Sequence, residues 1–261
     1  MLISTSELNK KLHDDNLLII DARSWHEYSD GHIPGAVNLD LFAFHWADTS
    51  KEGMQAFNRQ MRKLLSSVGV SYDKFIIFYD AESGIFAARG VWLLEYFSHK
   101  KVAMLDGGLG KWKNDKYPIE KKSNNYKPTR FKPRINPKVL ATYRYVRNRL
   151  SNPKVRIVDA RNRDEYTGKW VRAARGGHIP DAIHVDWKEN LENDGSFKTP
   201  DALKKLYARI GKGDEVICYC QGGYRAANDY VALKKLGYKN VRVYLASWYE
   251  WGNMLDLPVE K

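Results

Sequence analysis

The chain has 261 residues, of which 43% are hydrophobic and 13% aromatic, so it can bury one large core or two of ordinary size. Its 43 lysines and arginines exceed its 31 aspartates and glutamates by a formal +12, a balance that attracts small anions and, weakly, nucleic acid. The two cysteines are too few and too close together for a disulfide scaffold. They also match no zinc-binding spacing, so we expect no metal and no other cofactor.

The sequence also carries no sign of export or membrane insertion. Its first residues lack the charged and apolar regions of a signal peptide, and no run approaches the roughly 20 apolar residues that a membrane span requires. Free cysteines suit a reducing compartment. We therefore expect a cytoplasmic protein with no membrane contact.

Short blocks organise the first half, in which apolar runs alternate with segments of helical spacing. A Ser-x-x-Glu capping box at residues 4–7 is followed by the block Ile-Ile-Asp-Ala-Arg at 19–23. A Gly-His-Ile-Pro-Gly-Ala turn comes next at 31–36, then an apolar run at 75–80 and a block at 105–112. Short apolar strands that alternate with helices predict a mainly parallel sheet flanked by helices.

Residues 121–138 interleave prolines with lysines, arginines and polar residues. This composition is typical of a solvated connector, and we interpret the stretch as a linker between domains. Its two aromatic residues leave RNA contact as the alternative, although we expect no specific nucleic-acid site.

The second half repeats four of these blocks in the same order. The matching residues are 157–161, 177–182, 216–220 and 244–251. We therefore predict an α/β protein of two duplicated domains, residues 1–120 and 139–261, each a mainly parallel sheet flanked by helices. The interval between the Asp-Ala-Arg block and the Gly-His-Ile-Pro block is eight residues longer in the second half, and there it contains Arg172 and Arg175. These two arginines are candidates to contact an anionic substrate, with a solvated basic loop as the alternative.

The strand of the second half that ends at Tyr219 leads into a helix through a loop that begins with a cysteine. The loop residues are Cys220, Gln221, Gly222, Gly223, Tyr224 and Arg225. At a helix N-terminus, unpaired backbone N–H groups and the helix dipole stabilise an anion, and two glycines allow these amides to converge on the sulfur. Arg225 adds a permanent positive charge. Cys220 is therefore the candidate nucleophile, and a buried structural cysteine is the alternative.

The duplication provides an internal comparison for this loop. Asp80 occupies the position of Cys220 in the first half, and Glu82 adds a second carboxylate, so an anion would be repelled there. We expect the first half to keep the fold without the chemistry. His32 and His178 recur in the paired turns of both halves and are therefore expected to be structural.

The repeated blocks and the cysteine-led loop together resemble the tandem-domain rhodanese sulfurtransferases over essentially the whole chain. The resemblance lies in the Asp-Ala-Arg and Gly-His-Ile-Pro blocks of both halves, in Leu-Asp-Gly-Gly at 105–108 with Trp112, and in the segment 244–251. In this family the active C-terminal domain carries a cradle loop of the length and glycine placement found at 220–225. The inactive N-terminal domain often has aspartate there, as Asp80 is here.

The resemblance implies transfer of sulfane sulfur from thiosulfate, or a related small anionic donor, through a persulfide on Cys220. The acceptor that it implies is thiophilic: cyanide, glutathione, thioredoxin or another protein thiol. The loop residues 221–225 would then bind the substrate. By analogy with the family, Phe86 and Trp187 would form walls of the cleft.

Departures from the subfamily patterns bear on the choice of donor. Mercaptopyruvate sulfurtransferases usually have a Cys-Gly-Ser-Gly loop, whereas this chain has Gln221 and Tyr224, which favours thiosulfate. Some thiosulfate enzymes, however, carry a cation where Gly222 stands and an arginine near Glu165. The alternatives are therefore 3-mercaptopyruvate as donor, a non-enzymatic persulfide carrier, and a cysteine phosphatase. A phosphatase loop places five residues between its cysteine and arginine, whereas this loop places four.

Overall fold

Two five-stranded parallel sheets, one in each half of the chain, form the framework of the protein. The computed structural model describes residues 1–261, which divide into two units. The first unit comprises Met1–Phe44, Gln55–Asn136 and Leu191–Phe197, and the second comprises His45–Met54, Pro137–Asn190 and Lys198–Lys261. Each unit therefore includes one short segment from the other half of the sequence.

The sheet of the first unit has the strand order β1-β5-β4-β2-β3, and every neighbouring pair is parallel. Its strands are β1 (Leu2–Ile3), β2 (Leu17–Asp21), β3 (Val37–Asn38), β4 (Phe75–Tyr79) and β5 (Val102–Leu105). The helices of the first half are α1 (Thr5–Lys11), α2 (Trp25–Asp30), α3 (Lys51–Ser67), α4 (Ile85–Tyr96) and α5 (Gly108–Asn114), with a 3₁₀ turn at Phe42–Phe44.

The sheet of the second unit has the equivalent strand order, β6-β10-β9-β7-β8, again with parallel neighbours throughout. Its strands are β6 (Leu140–Ala141), β7 (Val155–Asp159), β8 (Ile183–His184), β9 (Glu215–Tyr219) and β10 (Val241–Tyr244). Its helices are α6 (Tyr143–Arg147), α7 (Arg163–Tyr166), α8 (Pro200–Leu206), α9 (Arg225–Lys235) and α10 (Ser247–Trp251), with 3₁₀ turns at Pro137–Val139 and Trp187–Asn190. The predicted fold of two duplicated α/β domains is confirmed.

Local sequence signals explain where several helices begin. Ser4 Oγ accepts a hydrogen bond from the Glu7 N–H at 3.2 Å, and the Glu7 carboxylate accepts the Ser4 N–H at 2.9 Å, which completes the predicted capping box. Thr142 starts α6 in the same place of the second unit, where its hydroxyl accepts the Tyr145 N–H at 3.2 Å. These caps stabilise the first helix of each repeat.

The core of each unit packs around a tryptophan at a matching position. Trp112 and Trp251 are both 0% exposed, and their indole N–H groups donate to the carbonyls of Pro118 at 2.8 Å and Pro258 at 2.9 Å. Removal of such a buried aromatic side chain typically costs about 3–5 kcal/mol of stability. No helix has the length and hydropathy that crossing a bilayer requires.

The repeated Asp-Ala-Arg and Gly-His-Ile-Pro blocks hold the ends of the strands in place. In the second unit, the guanidinium of buried Arg161 contacts Asp159 at 2.6 Å and donates to the Gly177 carbonyl at 2.7 Å. His178 lies with Nδ1 2.9 Å from the Tyr166 carbonyl and stacks on that ring at 3.8 Å. The equivalent contacts of the first unit involve Asp21, Arg23, Gly31, His32 and Tyr28. These contacts support the structural roles expected for both histidines.

The stretch that joins the two halves packs against the first unit as far as Asn136. Phe131 is only 4% exposed, and the Thr129 hydroxyl donates to the Val70 carbonyl at 2.5 Å. The Asn136 N–H donates to the Tyr96 carbonyl at 2.7 Å. This stretch therefore packs against the first unit through a few contacts, while most of its residues are exposed, as its composition suggests.

Candidate active site at the Cys220 loop

Cys220 lies where the central strand β9 ends and just before helix α9 begins. Its neighbours β7 and β10 run parallel to β9, so the loop stands at the carboxyl edge of the sheet, where ligands bind in open α/β sheets. The Cys220 side chain is buried, with 1% of the residue exposed. The loop thus has the position at which such sheets usually bind ligands, and the Cys220 sulfur is shielded from bulk water.

A backbone amide points at the sulfur. The Gly223 N–H donates to Cys220 Sγ at 3.1 Å, just before the first residue of α9. Gly223 has φ +82°, a left-handed conformation that glycine adopts without strain. The helix dipole and this N–H both favour negative charge at the position of Sγ, as the sequence predicts.

Helix α10 ties the loop down from the other side. The Cys220 N–H donates to Ser247 Oγ at 3.0 Å, and that hydroxyl donates in turn to the Tyr244 carbonyl at 2.7 Å. The Trp248 N–H donates to the Cys220 carbonyl at 2.9 Å. Ser247 itself has φ +55°, which is uncommon for a residue with a side chain and costs conformational energy. Sequence reasoning did not assign this role to Ser247.

Gln221 carries the one buried side-chain oxygen or nitrogen of the loop that has no hydrogen-bond partner. Its amide nitrogen donates to the Arg172 carbonyl at 3.0 Å, whereas its Oε1 is buried and accepts no hydrogen bond. Leaving such an acceptor unsatisfied costs about 1–3 kcal/mol. A buried, unused acceptor next to the cysteine is therefore a candidate contact for a hydrogen-bond donor on a reactant.

Arg225 does not stand alone as a positive charge. Its guanidinium donates to both oxygens of Glu165, at 2.5 and 2.9 Å, and the Glu165 side chain is 1% exposed. Burial raises the pKa of Glu165, but the hydrogen bond and charge of Arg225, with Arg161 and Arg172, outweigh it and lower the pKa overall. Burial lowers the pKa of Arg225, and the Glu165 and Cys220 charges raise it on balance.

The two arginines of the longer interval differ in what they contact. The Arg175 guanidinium donates to main-chain carbonyls after α10, including Leu257 at 2.8 Å and Met254 at 2.5 Å. Arg172 remains 43% exposed and contacts Glu165 at 3.4 Å. Arg175 therefore holds the C-terminal segment, while Arg172 keeps an accessible charge beside the Cys220 loop.

The two aromatic residues expected at the cleft lie on separate elements. Trp187 is half-buried and begins the 3₁₀ turn that packs against α9. Phe86 is half-buried in the first turn of α4, where its ring meets Phe42 with centroids 5.6 Å apart. Their role as cleft walls stays a prediction.

His45 is a neighbour of the loop that sequence reasoning missed. A Cβ added to Gly222 would stand 2.0 Å from His45 Cε1, so the imidazole fills the space above this glycine. The ring also stacks on Tyr224 at 5.8 Å and meets Tyr249 edge-on at 5.5 Å. Gly222 is therefore required by the close approach of the ring, and no cationic side chain at this position fits beside it.

A buried carboxylate holds the segment that carries His45. Glu250 accepts hydrogen bonds from the Thr49 N–H and hydroxyl, both at 2.6 Å, and from the Tyr244 hydroxyl at 2.7 Å. Burial raises the pKa of Glu250 despite these donors. No periodic pattern in the sequence signals this contact, because it joins residues far apart in the chain.

The other cysteine is also buried, but it lies within strand β9 rather than in the loop that follows it. Cys218 is 0% exposed on strand β9, and burial raises the pKa of its thiol well above the ordinary value. Burial disfavours the thiolate that nucleophilic and metal-binding cysteines need. Its burial supports the structural role that the sequence predicts.

The equivalent loop of the first unit contains its own carboxylate. Asp80 Oδ1 accepts the Ala81 N–H at 2.7 Å, and Oδ2 accepts the Phe86 N–H at 3.0 Å at the start of α4. Burial raises the pKa of Asp80 to about 6, against the opposing effect of these amides. The carboxylate thus takes the position that the sulfur has in the second unit.

Comparisons with known proteins agree with this geometry. The rhodanese-like domain family matches the chain twice, at residues 4–115 and 142–254. The thiosulfate sulfurtransferase of Pseudomonas aeruginosa is 30% identical over 262 residues, which cover 100% of this chain and 97% of that protein. The sulfur carrier protein TtuD of Thermus thermophilus is 28% identical, with 100% of this chain and 96% of that protein covered.

A solved structure is similar over nearly its whole length. SseA from Escherichia coli, described among the 3-mercaptopyruvate sulfotransferases, has a TM-score of 0.79 and 29% sequence identity, with 95% of this chain and 98% of that chain covered. The two family matches include strands β2–β5 and β7–β10 and both loops described above, and each begins just after the first strand of its sheet. The chain belongs to the rhodanese family, as a tandem of two rhodanese-like domains.

Proposed function

We propose that this protein is a sulfurtransferase that carries sulfane sulfur on Cys220 from thiosulfate to a thiophilic acceptor. The observation that carries the proposal is the Gly223 N–H aimed at Cys220 Sγ, at 3.1 Å, where α9 begins. A thiolate and a persulfide both place negative charge there, and both are stabilised by the amide and the helix dipole. The similarity to a thiosulfate sulfurtransferase supports the same chemistry.

The reaction proceeds by two displacements at sulfur. The Cys220 thiolate attacks the outer sulfur of thiosulfate; a new S–S bond forms, the bond to the sulfonate sulfur breaks, and sulfite leaves with the electron pair. The acceptor then attacks the outer sulfur of the persulfide, and the Cys220 thiolate leaves with the electron pair. Because sulfite and thiolate are both good leaving groups, electrostatic stabilisation of sulfur is the main requirement.

The surroundings of the loop suggest how the reactants are held. Arg225 is committed to Glu165, so we assign the donor sulfonate to Arg172, whose guanidinium is 43% exposed and whose carbonyl accepts from Gln221 at 3.0 Å. The unpartnered Gln221 Oε1 is the acceptor that we assign to the S–H of an incoming thiol. The low exposure of Cys220, 1%, protects the persulfide from water.

Steady-state thiocyanate formation from thiosulfate and cyanide tests the proposal. We expect parallel double-reciprocal plots, because the persulfide forms before the acceptor binds. Cys220→Ser should reduce the rate to background, and the control Cys218→Ala should retain it. A rate that survives Cys220→Ser would rule out Cys220 as the sulfur carrier.

Two alternative forms of this function are each supported by one of the similar proteins. Similarity to SseA supports 3-mercaptopyruvate as donor, and similarity to TtuD supports a carrier that passes sulfur to a protein. A comparison of the two donors tests the 3-mercaptopyruvate alternative. We expect kcat/KM for thiosulfate to exceed kcat/KM for 3-mercaptopyruvate. Stable persulfide formation with negligible transfer to cyanide would identify the carrier instead.

The ion pair at the loop argues against a cysteine phosphatase. The Arg225 guanidinium donates to both carboxylate oxygens of Glu165. A phosphatase needs the guanidinium of its loop arginine to bind the oxygens of a phosphoryl group. An assay with a generic aryl phosphate should therefore give no turnover. Phosphatase activity lost in Cys220→Ser would reverse this assignment.

A further inference from the structure

Four large hydrophobic side chains are exposed in the second unit, and they lie in two short segments of the chain. Trp170 (51% exposed) and Val171 (50%) belong to the interval that is eight residues longer in the second half. Tyr249 (45%) lies in α10, and Leu255 (71%) follows that helix. Contiguous exposed apolar side chains often mark a surface that binds another molecule, whereas scattered ones are ordinary. The hydrogen bonds of the two segments decide which case applies.

The two segments meet at Gln221, the residue that follows the candidate nucleophile. The Gln221 side-chain amide donates to the Arg172 carbonyl at 3.0 Å, and the Gln221 carbonyl accepts the Tyr249 N–H at 2.8 Å. The segments also bond to each other, because the Ala174 N–H donates to the Asn253 side chain at 2.8 Å. The exposed side chains therefore border the Cys220 loop together. We call them the apolar surface, which consists of Trp170, Val171, Tyr249 and Leu255.

Neighbouring side chains hold the two aromatic rings of the apolar surface in place. The guanidinium carbon of Arg172 stands 5.2 Å from the centroid of the Trp170 ring, within the range of a cation–π contact. The His45 ring meets the Tyr249 ring edge-on, with centroids 5.5 Å apart. Because these rings already have contacts that order them, less conformational entropy is lost when another molecule covers them.

The first unit lacks both parts of this surface, although it keeps the backbone beneath one of them. The Gly110 N–H donates to the Ala81 carbonyl at 2.8 Å, as the Tyr249 N–H donates to the Gln221 carbonyl. Glycine thus stands where the second unit has an exposed tyrosine. The first unit also has no counterpart of the segment that contains Trp170, because the interval is eight residues shorter there. The fold therefore does not require the apolar surface, which accompanies the loop with the cysteine.

The chemistry of the adjacent loop indicates what would cover the apolar surface. In the proposed reaction the acceptor must reach the outer sulfur of the Cys220 persulfide, which lies one S–S bond, about 2 Å, beyond Sγ. Cyanide can do so without covering any apolar side chain. Tryptophan and tyrosine, in contrast, supply much of the binding energy where proteins meet. A protein that presents a cysteine within an apolar segment fits both the surface and the reaction.

We propose that the apolar surface binds a protein acceptor that presents a cysteine, flanked by apolar residues, to the Cys220 persulfide. This inference rests on the proposed function, because the surface serves the second half of the sulfur transfer. The acceptor thiolate attacks the outer sulfur and forms a new S–S bond, while the bond to Cys220 Sγ breaks. Cys220 leaves as a thiolate with the electron pair, and the acceptor cysteine becomes the persulfide, so the step consumes no oxidant or reductant.

Single-turnover transfer to two synthetic peptides tests the proposal. The full chain is loaded with thiosulfate, desalted and mixed with Ser-Leu-Phe-Cys-Leu-Phe-Ser or with Ser-Gly-Ser-Cys-Ser-Gly-Ser, and mass spectrometry follows the sulfur gained by each peptide. Both peptides offer a cysteine thiol, but only the first has side chains that can cover the apolar surface. We expect the half-saturating concentration of the apolar peptide to be lower by about tenfold or more.

Matched variants of the protein locate the contact. Trp170→Ser and Tyr249→Ser should each raise the half-saturating concentration of the apolar peptide by about tenfold, because each removes an aromatic contact. Trp25→Ser is the control, since it makes the same change at a tryptophan that is 58% exposed in the first unit. The half-saturating concentration of cyanide is measured in each variant, so that an effect on the sulfur chemistry itself is separated from an effect on docking.

The possible failures of this experiment are distinguishable. Equal half-saturating concentrations for the two peptides, or equal effects of Trp170→Ser and Trp25→Ser, would overturn the docking proposal and leave the proposed function intact. Failure of the wild type to gain sulfur from thiosulfate would instead contradict the proposed function. Fluorescence anisotropy of a labelled apolar peptide with serine in place of cysteine then decides on the surface alone. Binding that weakens in Trp170→Ser would support the surface, and absence of saturable binding would overturn it.

A second copy of the chain is the competing occupant of the apolar surface. Sedimentation velocity of the wild type and of Trp170→Ser separates the two cases. We expect the same sedimentation coefficient for both proteins, because the surface is free in the absence of an acceptor. A wild-type dimer that dissociates in Trp170→Ser, but not in Trp25→Ser, would overturn the proposal and identify the surface as a contact between copies.

Discussion

Each unit has an equivalent loop after the central strand of its sheet, which is β4 in the first unit and β9 in the second. The two loops differ in the chemical group that lies at the N-terminus of the following helix. In the first unit the Asp80 carboxylate accepts amides from Ala81 and Phe86. In the second unit the Cys220 sulfur accepts the Gly223 amide. The fold therefore provides an anion-stabilising position twice, and the side chain at this position is a carboxylate in the first unit and a thiol in the second.

This comparison refines the expectation that the acidic loop repels an anion. Asp80 is itself the anion of that loop, attached to the chain and buried among the amides that a substrate would need. The first unit thus retains backbone amides that can stabilise an anion, but the Asp80 carboxylate already accepts them. In the proposed function Cys220 differs from Asp80, because its sulfur would act as a nucleophile that carries the transferred sulfur and is then regenerated.

The largest expected effect comes from converting the second loop into the first. Cys220→Asp replaces the sulfur with a carboxylate that can accept the Gly223 N–H, so the chain should remain folded. Thiocyanate formation should fall by more than about 10³-fold, because the nucleophile is gone. Circular dichroism gives the control for folding. Residual turnover near the wild-type rate would show that the comparison does not identify the reactive group.

The pH dependence of stability tests the Asp80 side of the comparison. Since burial raises the pKa of folded Asp80 to about 6, above the ordinary value, the folded chain keeps a proton that the unfolded chain releases between these values. Stability is therefore lost as the pH rises through this window. Relative to Asp80→Asn, the wild-type free energy of unfolding should fall by up to about 3 kcal/mol between about pH 4 and pH 7. Parallel denaturation curves across this range would contradict the assignment.

A substitution at Gly222 tests the role of His45 beside the reactive loop. Gly222→Ala places a methyl group 2.0 Å from His45 Cε1 and should cost about 1–3 kcal/mol of stability. In a His45→Ala background the same change should cost much less, because the clash is gone. Equal costs in the two backgrounds, measured by urea denaturation, would show that the ring does not restrict this position.

An effect no larger than that at Gly222 is expected at Ser247, whose hydroxyl accepts the Cys220 N–H. Ser247→Ala removes the acceptor of the Cys220 N–H, and leaving this buried donor unpaired should cost about 1–3 kcal/mol. Ser247→Gly loses the same acceptor but relieves the strain of φ +55°, so it should cost less. Thermal denaturation of both variants checks the order; a reversed order would refute the strain argument.

The duplicated fold was predictable because its signals are local and occur twice. Apolar strands, capping residues and the Gly-His-Ile-Pro turns are each encoded within a few residues, and the repeat shows which of them belong to the framework. The same comparison identified Cys220 as the residue that departs from the pattern. These features need no knowledge of distant contacts.

The remaining features depend on contacts between residues far apart in sequence. Glu165 pairs with Arg225, and His45 covers Gly222, although no periodicity connects them. The same holds for Asn124, which lies in the predicted connector and donates its N–H to the Tyr28 hydroxyl. Hydrogen bonds of this kind are visible only when the folded chain brings their partners together.

Intact-protein mass spectrometry tests the central claim most directly. Wild-type protein incubated with thiosulfate and desalted without reductant should gain the mass of one sulfur atom, mapped to the peptide that contains Cys220. The Cys220→Asp protein should gain none. An unchanged wild-type mass, or an added sulfur on Cys218, would contradict the claim that the amide-stabilised sulfur of the second loop carries the cargo.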